Sequence, residues 1–316
     1  MRWLLRLIVS FMLVVPVAAK AHPAATKIKS CAVPPGIAAT RPGAKGSPIH
    51  VLVGLYVLDI KHIKDVEHSF SADFILTVRW KDSRLIDKSR GLSLAGCLVG
   101  LDDVWDPQAL LLNRGTISVA REPLVQIDSK GTVSFSYRVS GDFTSRFDLR
   151  EFPVDSHTLP ITIISTRYGP DEVEFVVAKN ITGRADLLSI AGWSIGPWAT
   201  RVGYFYFAPQ NRLLSQFEYE VTATRHAGFY VRKVIFPLIL VIIMSWAVFW
   251  LDPVHLATQV GLSATVMVIL VIFELNLGTL LPRVSYSTRV DTFLLGSRLL
   301  VFLALVEAVT TGILAA

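Results

Sequence analysis

The side chains in this sequence that could do acid–base or metal chemistry are few and dispersed. Three of the seven histidines are candidates: His68 near Asp65 in DVEH, His157 beside Asp155 in FPVDSH, and His226 after Arg225 in TRH. Imidazole titrates between about pH 5 and 8, so binding a proton is the chemistry these residues offer. Taken singly, the plain reading of each is an exposed histidine with no role. No nucleophile–base triad, phosphate loop or metal cluster can be assembled, and the carboxylates are scattered without assignable roles, so an enzyme is a poor reading. The two cysteines, Cys31 and Cys97, fit no zinc pattern. In an exported chain one disulfide could join them, with a geometry the sequence leaves open. No cofactor is implied.

The stretch REFPVDSHTLPI (150–161) interrupts a segment that otherwise alternates like a strand. Pro153 cannot donate to a ladder and marks a turn, an edge or a bulge. A hairpin tip is the simplest account, but it leaves Asp155 unexplained.

Composition narrows the class. Of 316 residues, 52% are hydrophobic and the mean hydropathy is +0.50, which implies membrane helices beside a soluble part. The net charge is +6, but the basic residues are scattered, so no nucleic-acid partner is expected. Residues 1–21 have two arginines, an apolar core and a small-residue site, the layout of a cleaved secretory signal. Its alternative, an N-terminal anchor, fits the short core less well. Residues 22–48 form a Pro/Gly-rich lead-in expected to be flexible.

From 49 to 226 the pattern is of short strands: IHVLVGLYVLDI, SFSADFILTVRW, GTISVAREPLVQID, GTVSFSYRVSGDF, DEVEFVVAK and SQFEYEVTATR. Strands at such spacing predict an antiparallel β-sandwich. From 227 to 316 the chain is apolar, with three stretches long enough to span a bilayer, at about 229–251, 257–281 and 292–316. Pro237 should kink the first. The connector DPVH makes the first two helices antiparallel neighbours. An exported β domain then puts that connector in the cytoplasm and PRVSYSTR on the β-domain side; DPVH has no Lys or Arg, so the positive-inside rule adds nothing.

The second span has a graded stripe: Gly261, Thr265, Val268, Ile272, Leu275 or Asn276, and Thr279. Small and hydroxyl residues with aliphatic rings between them suit a water path closed by dewetting. Gly261, Ser263 and Thr265 suit close helix packing equally well. Glu274, Arg298 and Glu307 are charges inside spans and demand partners or water; Glu274 with Arg298 is one such pairing.

The motifs FPVDSHTL, RWKDSRL, VWDPQALLLN, a proline-bearing helix after FYVRK, and LPRVSY occur in this order. Together they resemble the pentameric ligand-gated ion channels, the Cys-loop receptor superfamily, in its bacterial branch. The resemblance implies an extracellular or periplasmic β-sandwich followed by an α-helical transmembrane domain, in a multi-pass inner-membrane protein assembled as a homopentamer that conducts monovalent ions. The stripe from Gly261 to Thr279 would line the pore. The Phe152–Pro153 loop would hang onto the membrane domain, with Asp155 near Arg225 and Asp65 to couple the domains. The cysteines that flank this loop in animal members fall on Ser145 and Leu159, so Cys31 and Cys97 are not that bridge.

The aromatic box that binds amines in animal members falls on Ile75, Leu112 and Thr166, none aromatic, which argues against a quaternary amine agonist. Tyr168, Tyr204, Tyr206 and Phe207 remain as ligand-binding candidates, and Trp80, Trp105 and Trp193 read as core. Proton-gated bacterial relatives make His68, His157 and His226 proton-sensing candidates, with an unknown small agonist equally admissible. The helix start HLATQ has neither a carboxylate ring nor the anion-channel pattern, and the bacterial branch alone tilts the reading to cations. The resemblance implies four membrane helices. The sequence has three and lacks the fourth, as a piece of a longer chain or a shortened subunit would. The competing reading is a non-conducting, membrane-anchored binding or sensor subunit.

Overall fold

The computed structural model describes residues 29–44, 46–86, 92–120, 124–278, 281 and 284–315. The expected leader, residues 22–28 of the lead-in, and Thr279 lie outside the described residues. The strands are β1 (Lys29–Ser30), β2 (Ile49–Lys64), β3 (Ser69–Lys81), β4 (Cys97–Gly100), β5 (Ala109–Leu111), β6 (Arg114–Ala120), β7 (Leu124–Ile127), β8 (Thr132–Thr144), β9 (Ser156–Ser165), β10 (Val173–Val177), β11 (Gly183–Arg184), β12 (Trp193–Phe207) and β13 (Arg212–Arg225). One sheet runs β1-β4-β7-β8-β3-β2-β10, with β6 also on β8 and β11 on β2; the other runs β12-β13-β9-β5.

Alternation drives the sandwich. On β2 and β3, Val51, Val53, Leu55, Phe74, Leu76, Val78 and Trp80 point inward and are buried, because successive side chains of a strand face opposite sides. They meet Phe217, Tyr219 and Val221 of β13 across the core. Most ladders are antiparallel, but β10 and β11 run parallel to β2. The segment expected as one strand, GTISVAREPLVQID, is two, β6 and β7, each pairing with a different part of β8. Cys31 and Cys97 are bonded, with Cα atoms 5.8 Å apart, and this ties the lead-in to β4.

The membrane helices are α1 (Gly228–Trp250), α2 (Leu256–Leu277) and α3 (Arg289–Ala315). In α1 the turn before Pro237 is a π-helix, Val231–Ile235. The missing N–H and the ring's clash with the carbonyl four residues back fall on that widened turn. The third helix begins at Arg289, three residues before the expected 292, because Thr288 and Asp291 cap it reciprocally: the Thr288 N–H donates to Asp291 Oδ2 (2.8 Å) and the Asp291 N–H to Thr288 Oγ1 (3.2 Å). At its other end Gly312 lets α3 touch α2, since a Cβ there would lie 2.2 Å from Leu256 Cδ1.

The disulfide closes a loop 66 residues apart in sequence. In the chain-entropy account a closure of that size stabilises by about 4 kcal/mol. Cys97→Ser should therefore lower the thermal unfolding midpoint of the β domain, as reduction should in the unaltered chain; unchanged midpoints in both would show that the bridge does not stabilise it.

Candidate functional site

The end of β13 leads into α1 with only His226 and Ala227 between them, so Arg225 stands where the two domains meet. Here the structure gathers the side chains of Asp65, Asp155, Arg225 and Phe152. Arg225 Nε donates to Asp155 Oδ1 (2.7 Å), and Nη2 donates to both Asp155 Oδ2 (3.0 Å) and Asp65 Oδ2 (2.7 Å). The guanidinium lies 4.1 Å from the centre of the Trp193 ring and 4.9 Å from that of Phe152. Phe152 in turn meets Tyr230 of α1 edge to face, at 4.7 Å.

Local sequence explains the placement. After the turn through Phe152 and Pro153, which share a cis peptide bond, the strand alternation of β9 resumes. Asp155, His157 and Leu159 point inward while Val154, Ser156 and Thr158 are exposed. A carboxylate and an imidazole therefore share the buried face two positions apart. His157 Nε2 lies 2.5 Å from Asp155 Oδ2, and both side chains are buried. Since Asp155 is ionised, as shown next, that nitrogen carries the hydrogen.

Burial pushes the Asp155 carboxyl up, but the hydrogen bonds from His157 and Arg225 and the Arg225 charge outweigh it and hold the group far below the usual carboxylate range. Burial likewise pushes Arg225 down, and its bonds and charge contacts with Asp155 and Asp65 more than reverse this. The cluster thus has two carboxylates to one guanidinium, a net charge of −1 while His157 is neutral. Asp65 Oδ1 is buried and has no hydrogen-bond partner among the described residues.

His68 sits one layer away. Its backbone has φ of 51°, its Nδ1 accepts from the Phe147 N–H (3.2 Å), and Phe147 packs edge-on against His157 at 4.9 Å. His226 does not join: its backbone N–H bonds the Gly192 carbonyl, and its side chain is exposed. Trp193, expected as core, is instead half-buried and covers Arg225, its register partner across β12 and β13. Trp80 and Trp105 are core.

At the staple positions, Ser145 Oγ donates to the Thr158 carbonyl (3.0 Å). Beside it Asn113, the last residue of VWDPQALLLN, joins both sides of the loop's neck. Its Nδ2 donates to the Thr144 (2.9 Å) and Pro160 (2.8 Å) carbonyls, and its Oδ1 accepts from the Thr162 N–H (3.0 Å). The motif was visible in the sequence; the role was not, because nothing local distinguishes a clamp from a turn asparagine. On the membrane side, Tyr286, just before α3, accepts the Leu149 N–H (2.9 Å), and the Arg289 N–H donates to the Arg150 carbonyl (3.0 Å).

Of the ligand candidates, Tyr168 accepts from Trp105 Nε1 (2.8 Å) and packs on that core ring. Tyr204 and Tyr206 share the exposed face of β12, with Phe205 and Phe207 half-buried opposite. These four residues do not converge on one pocket among the described residues. Ile75 and Leu112 are exposed aliphatics.

On α2 the graded stripe is exposed at Gly261, Thr265, Val268, Ile272 and Leu275. The buried positions are Gln259, Ser263, Val266, Leu270 and Leu277, which at 3.6 residues per turn form the opposite face. Of the residues open to the packing reading, only Ser263 is packed inside the subunit. Glu274 and Arg298 pair between α2 and α3, with Arg298 Nη2 2.5 Å from Glu274 Oε2.

Residues 38–200 match the model of the neurotransmitter-gated ion-channel ligand binding domain, about half the chain, and 234–315 match the transmembrane region of the same channels. The chain belongs to the neurotransmitter-gated ion-channel family. It is 24% identical over 266 residues to a proton-gated ion channel of Gloeobacter violaceus, across 84% of this chain and 74% of that one. It is also 24% identical over 274 residues to gamma-aminobutyric acid receptor subunit beta-4 of Gallus gallus, across 84% of this chain and 56% of the receptor subunit, little more than half its length. The family is one of ligand-gated channels rather than enzymes, and the chain is a multi-pass membrane protein with an N-terminal extracellular ligand-binding domain.

Breaking one partner of a buried pair typically costs about 3–5 kcal/mol. Asp155→Asn and Arg225→Gln should each cost that order in thermal stability, and the double variant less than their sum; strict additivity would show the two do not interact. The pH dependence has a defined sign. The folded pKa of Asp155 is depressed, so its contribution is complete above the unfolded value of about 3.9 and drains as pH falls below it toward the folded value. Loss of this contribution between pH 7 and 5 in an unfolding titration would contradict the assignment. Asn113→Ala should cost about 2–3 kcal/mol for three lost bonds at roughly 1 kcal/mol each, with the β domain unfolding at lower temperature.

Proposed function

We propose that the protein is the subunit of a proton-gated, pentameric channel in which His157 binds the activating proton and the α2 stripe from Gly261 to Leu275 lines the pore. The observation that carries the gating half is the charge imbalance of the buried junction: two carboxylates, one guanidinium, and an imidazole already bonded to the shared carboxylate. One proton on His157 brings the cluster to neutrality. The charged groups facing His157 are Asp155 from its own loop, Arg225 from β13 and, through Arg225, Asp65 from the turn after β2.

Asp155 cannot itself be the sensor, because its carboxyl is held far below the range of mild acid. The added proton goes to Nδ1, because Nε2 already carries one; the ring's new charge strengthens the Nε2–H bond to Oδ2, the oxygen that Arg225 Nη2 also uses, and so redistributes Arg225 toward Asp65. That gives the junction two arrangements of one set of groups, and coupling between domains requires such an element. His68 offers a second proton site of a different kind. A proton on its Nδ1 would remove the acceptor of the Phe147 N–H.

Exposure of the α2 stripe opposite the subunit's own packing face supports its placement around a central path, with Val268 and Ile272 as the hydrophobic closure. Asp252, exposed at the cytoplasmic turn where it caps the Val254 N–H (3.0 Å), supports cation preference, since five copies would ring the inner mouth with carboxylates. The aliphatic Ile75 and Leu112 argue against a quaternary amine as agonist.

The test is current through reconstituted protein under acid steps. His157→Gln keeps a donor to Asp155 but removes the proton site, and should abolish acid activation or move its midpoint down by a pH unit or more. An unchanged midpoint in His157→Gln together with loss of acid activation in His68→Gln would transfer the role to His68. Val268→Ser should open the gate at milder acid by wetting it; identical currents would count against the stripe. A native mass other than five subunits would remove the pore reading altogether.

A further inference from the structure

A cavity of about 900 Å³ opens one layer out from the Asp155–Arg225 cluster, where the β domain meets the approach to α3. Its walls come from the turn after β2, the segment 144–150, β9 and, on the membrane side, Tyr286. Small-molecule sites commonly have volumes of about 300–1,000 Å³, so the space is large enough for a ligand. What kind of ligand follows from which polar groups on the wall are already used.

Both acids on the wall have cations. Asp148 is held by Arg150 at 3.0 Å, and Glu67 by Lys64 at 3.4 Å, which also holds Asp142. Arg146, on the same wall, has no ion pair or hydrogen bond among the described residues. Two further donors stand unused. The Tyr286 oxygen accepts the Leu149 N–H (2.9 Å), and its own O–H has no acceptor among the described residues. His68 accepts the Phe147 N–H at Nδ1 (3.2 Å), so the neutral ring carries its hydrogen on Nε2, which is likewise without a partner among the described residues. A surplus guanidinium, a phenol O–H and an imidazole N–H around one space make a receptor for an anion. Phe147, Pro160 and the Tyr286 ring supply apolar wall beside them, and Arg150 lies 5.3 Å from the centre of the Tyr286 ring.

We propose that this cavity binds an organic monocarboxylate with a compact apolar body, with Arg146 as its counter-ion and Tyr286 and His68 as further donors. The planar fork of a guanidinium matches the two oxygens of a carboxylate, and the rings and Pro160 take the apolar body. An ammonium ligand would meet Arg146 and find both acids already paired; a neutral amide would leave Arg146 uncompensated. All the walls belong to one chain, so the site is complete in a single subunit. In a ring of subunits, an acidic side chain of the adjoining copy is the competing occupant. Binding is read without current, so its failure leaves the pore and gating reading untouched.

The experiment is calorimetric titration of the full chain in mild detergent, at neutral pH, with benzoate, benzamide and benzylamine, three ligands of one ring and different charge. Benzoate should bind at least tenfold more tightly than the other two. Arg146→Gln should weaken benzoate at least tenfold, while Lys81→Gln, at the far end of β3, should leave its affinity unchanged. Benzoate should also slow amide exchange across 144–150, and benzamide should not. Equal affinities for benzoate and benzamide, or undiminished benzoate affinity in Arg146→Gln, overturn the site. Absence of benzoate binding overturns it as well, and is the result expected where an adjoining subunit's carboxylate fills the cavity. If Arg146→Gln does not fold, exchange in the unaltered protein decides: protection of 144–150 by benzoate alone supports the site, and no protection overturns it.

Discussion

Arg225 is the last residue of β13 and stands three positions before the first membrane helix, so its guanidinium must be housed at the seam between a β-sandwich and a bilayer. Removing such a charge from water costs several kcal/mol, and the surrounding structure is organised to offset that. Asp155 takes two of its donors and Asp65 a third, while Trp193 and Phe152 cover its faces. The four compensating groups arrive on three elements: the turn after β2, the loop before β9, and the start of β12. The seam is therefore a place where four segments must agree, and a displacement of any one is felt by the others.

The loop that delivers Asp155 and Phe152 is itself held without a covalent staple. Its neck is closed by Ser145 and by the three bonds of Asn113, each worth roughly 1 kcal/mol, where a disulfide would contribute about 2–4 kcal/mol. Below, Tyr286 and the backbone of Arg289 hold the same loop from the membrane side. Hydrogen bonds in place of a covalent link define the loop's position.

The membrane domain divides its polar groups by face. On α2 the packed side buries Gln259 and Ser263, with Gln259 Nε2 bonded to the Leu251 carbonyl (2.9 Å), while the opposite side exposes Gly261 and Thr265 beneath aliphatic residues. Thr265 satisfies its hydroxyl on the Gly261 carbonyl one turn back (2.8 Å), so the exposed stripe needs no protein partner to complete its hydrogen bonding. Glu274 finds Arg298 within the subunit.

Periodicity in the sequence determined the class of the fold. Period-2 alternation in β2, β3, β8 and β13, and three uninterrupted apolar stretches, leave little choice, because burying one face of a strand or all sides of a span depends on local residue types. The same applies to Pro237, whose missing N–H had to be absorbed somewhere. Tertiary structure alone decided what is long-range. That Asp155 and His157 share one buried face was local, but that this face meets Arg225, 70 positions from Asp155, and that Arg225 in turn meets Asp65, 160 positions from it, depends on how the sheets are stacked. Trp193 looked like core because tryptophan usually is; only its register opposite Arg225 made it a lid. Asn113 carried no reading of its own in the sequence, because its three partners come from β8 and β9. The disulfide and the Glu274–Arg298 pair were open in the sequence for the same reason: a pairing between distant residues is a property of the packed chain, and no single segment contains the distance that decides it.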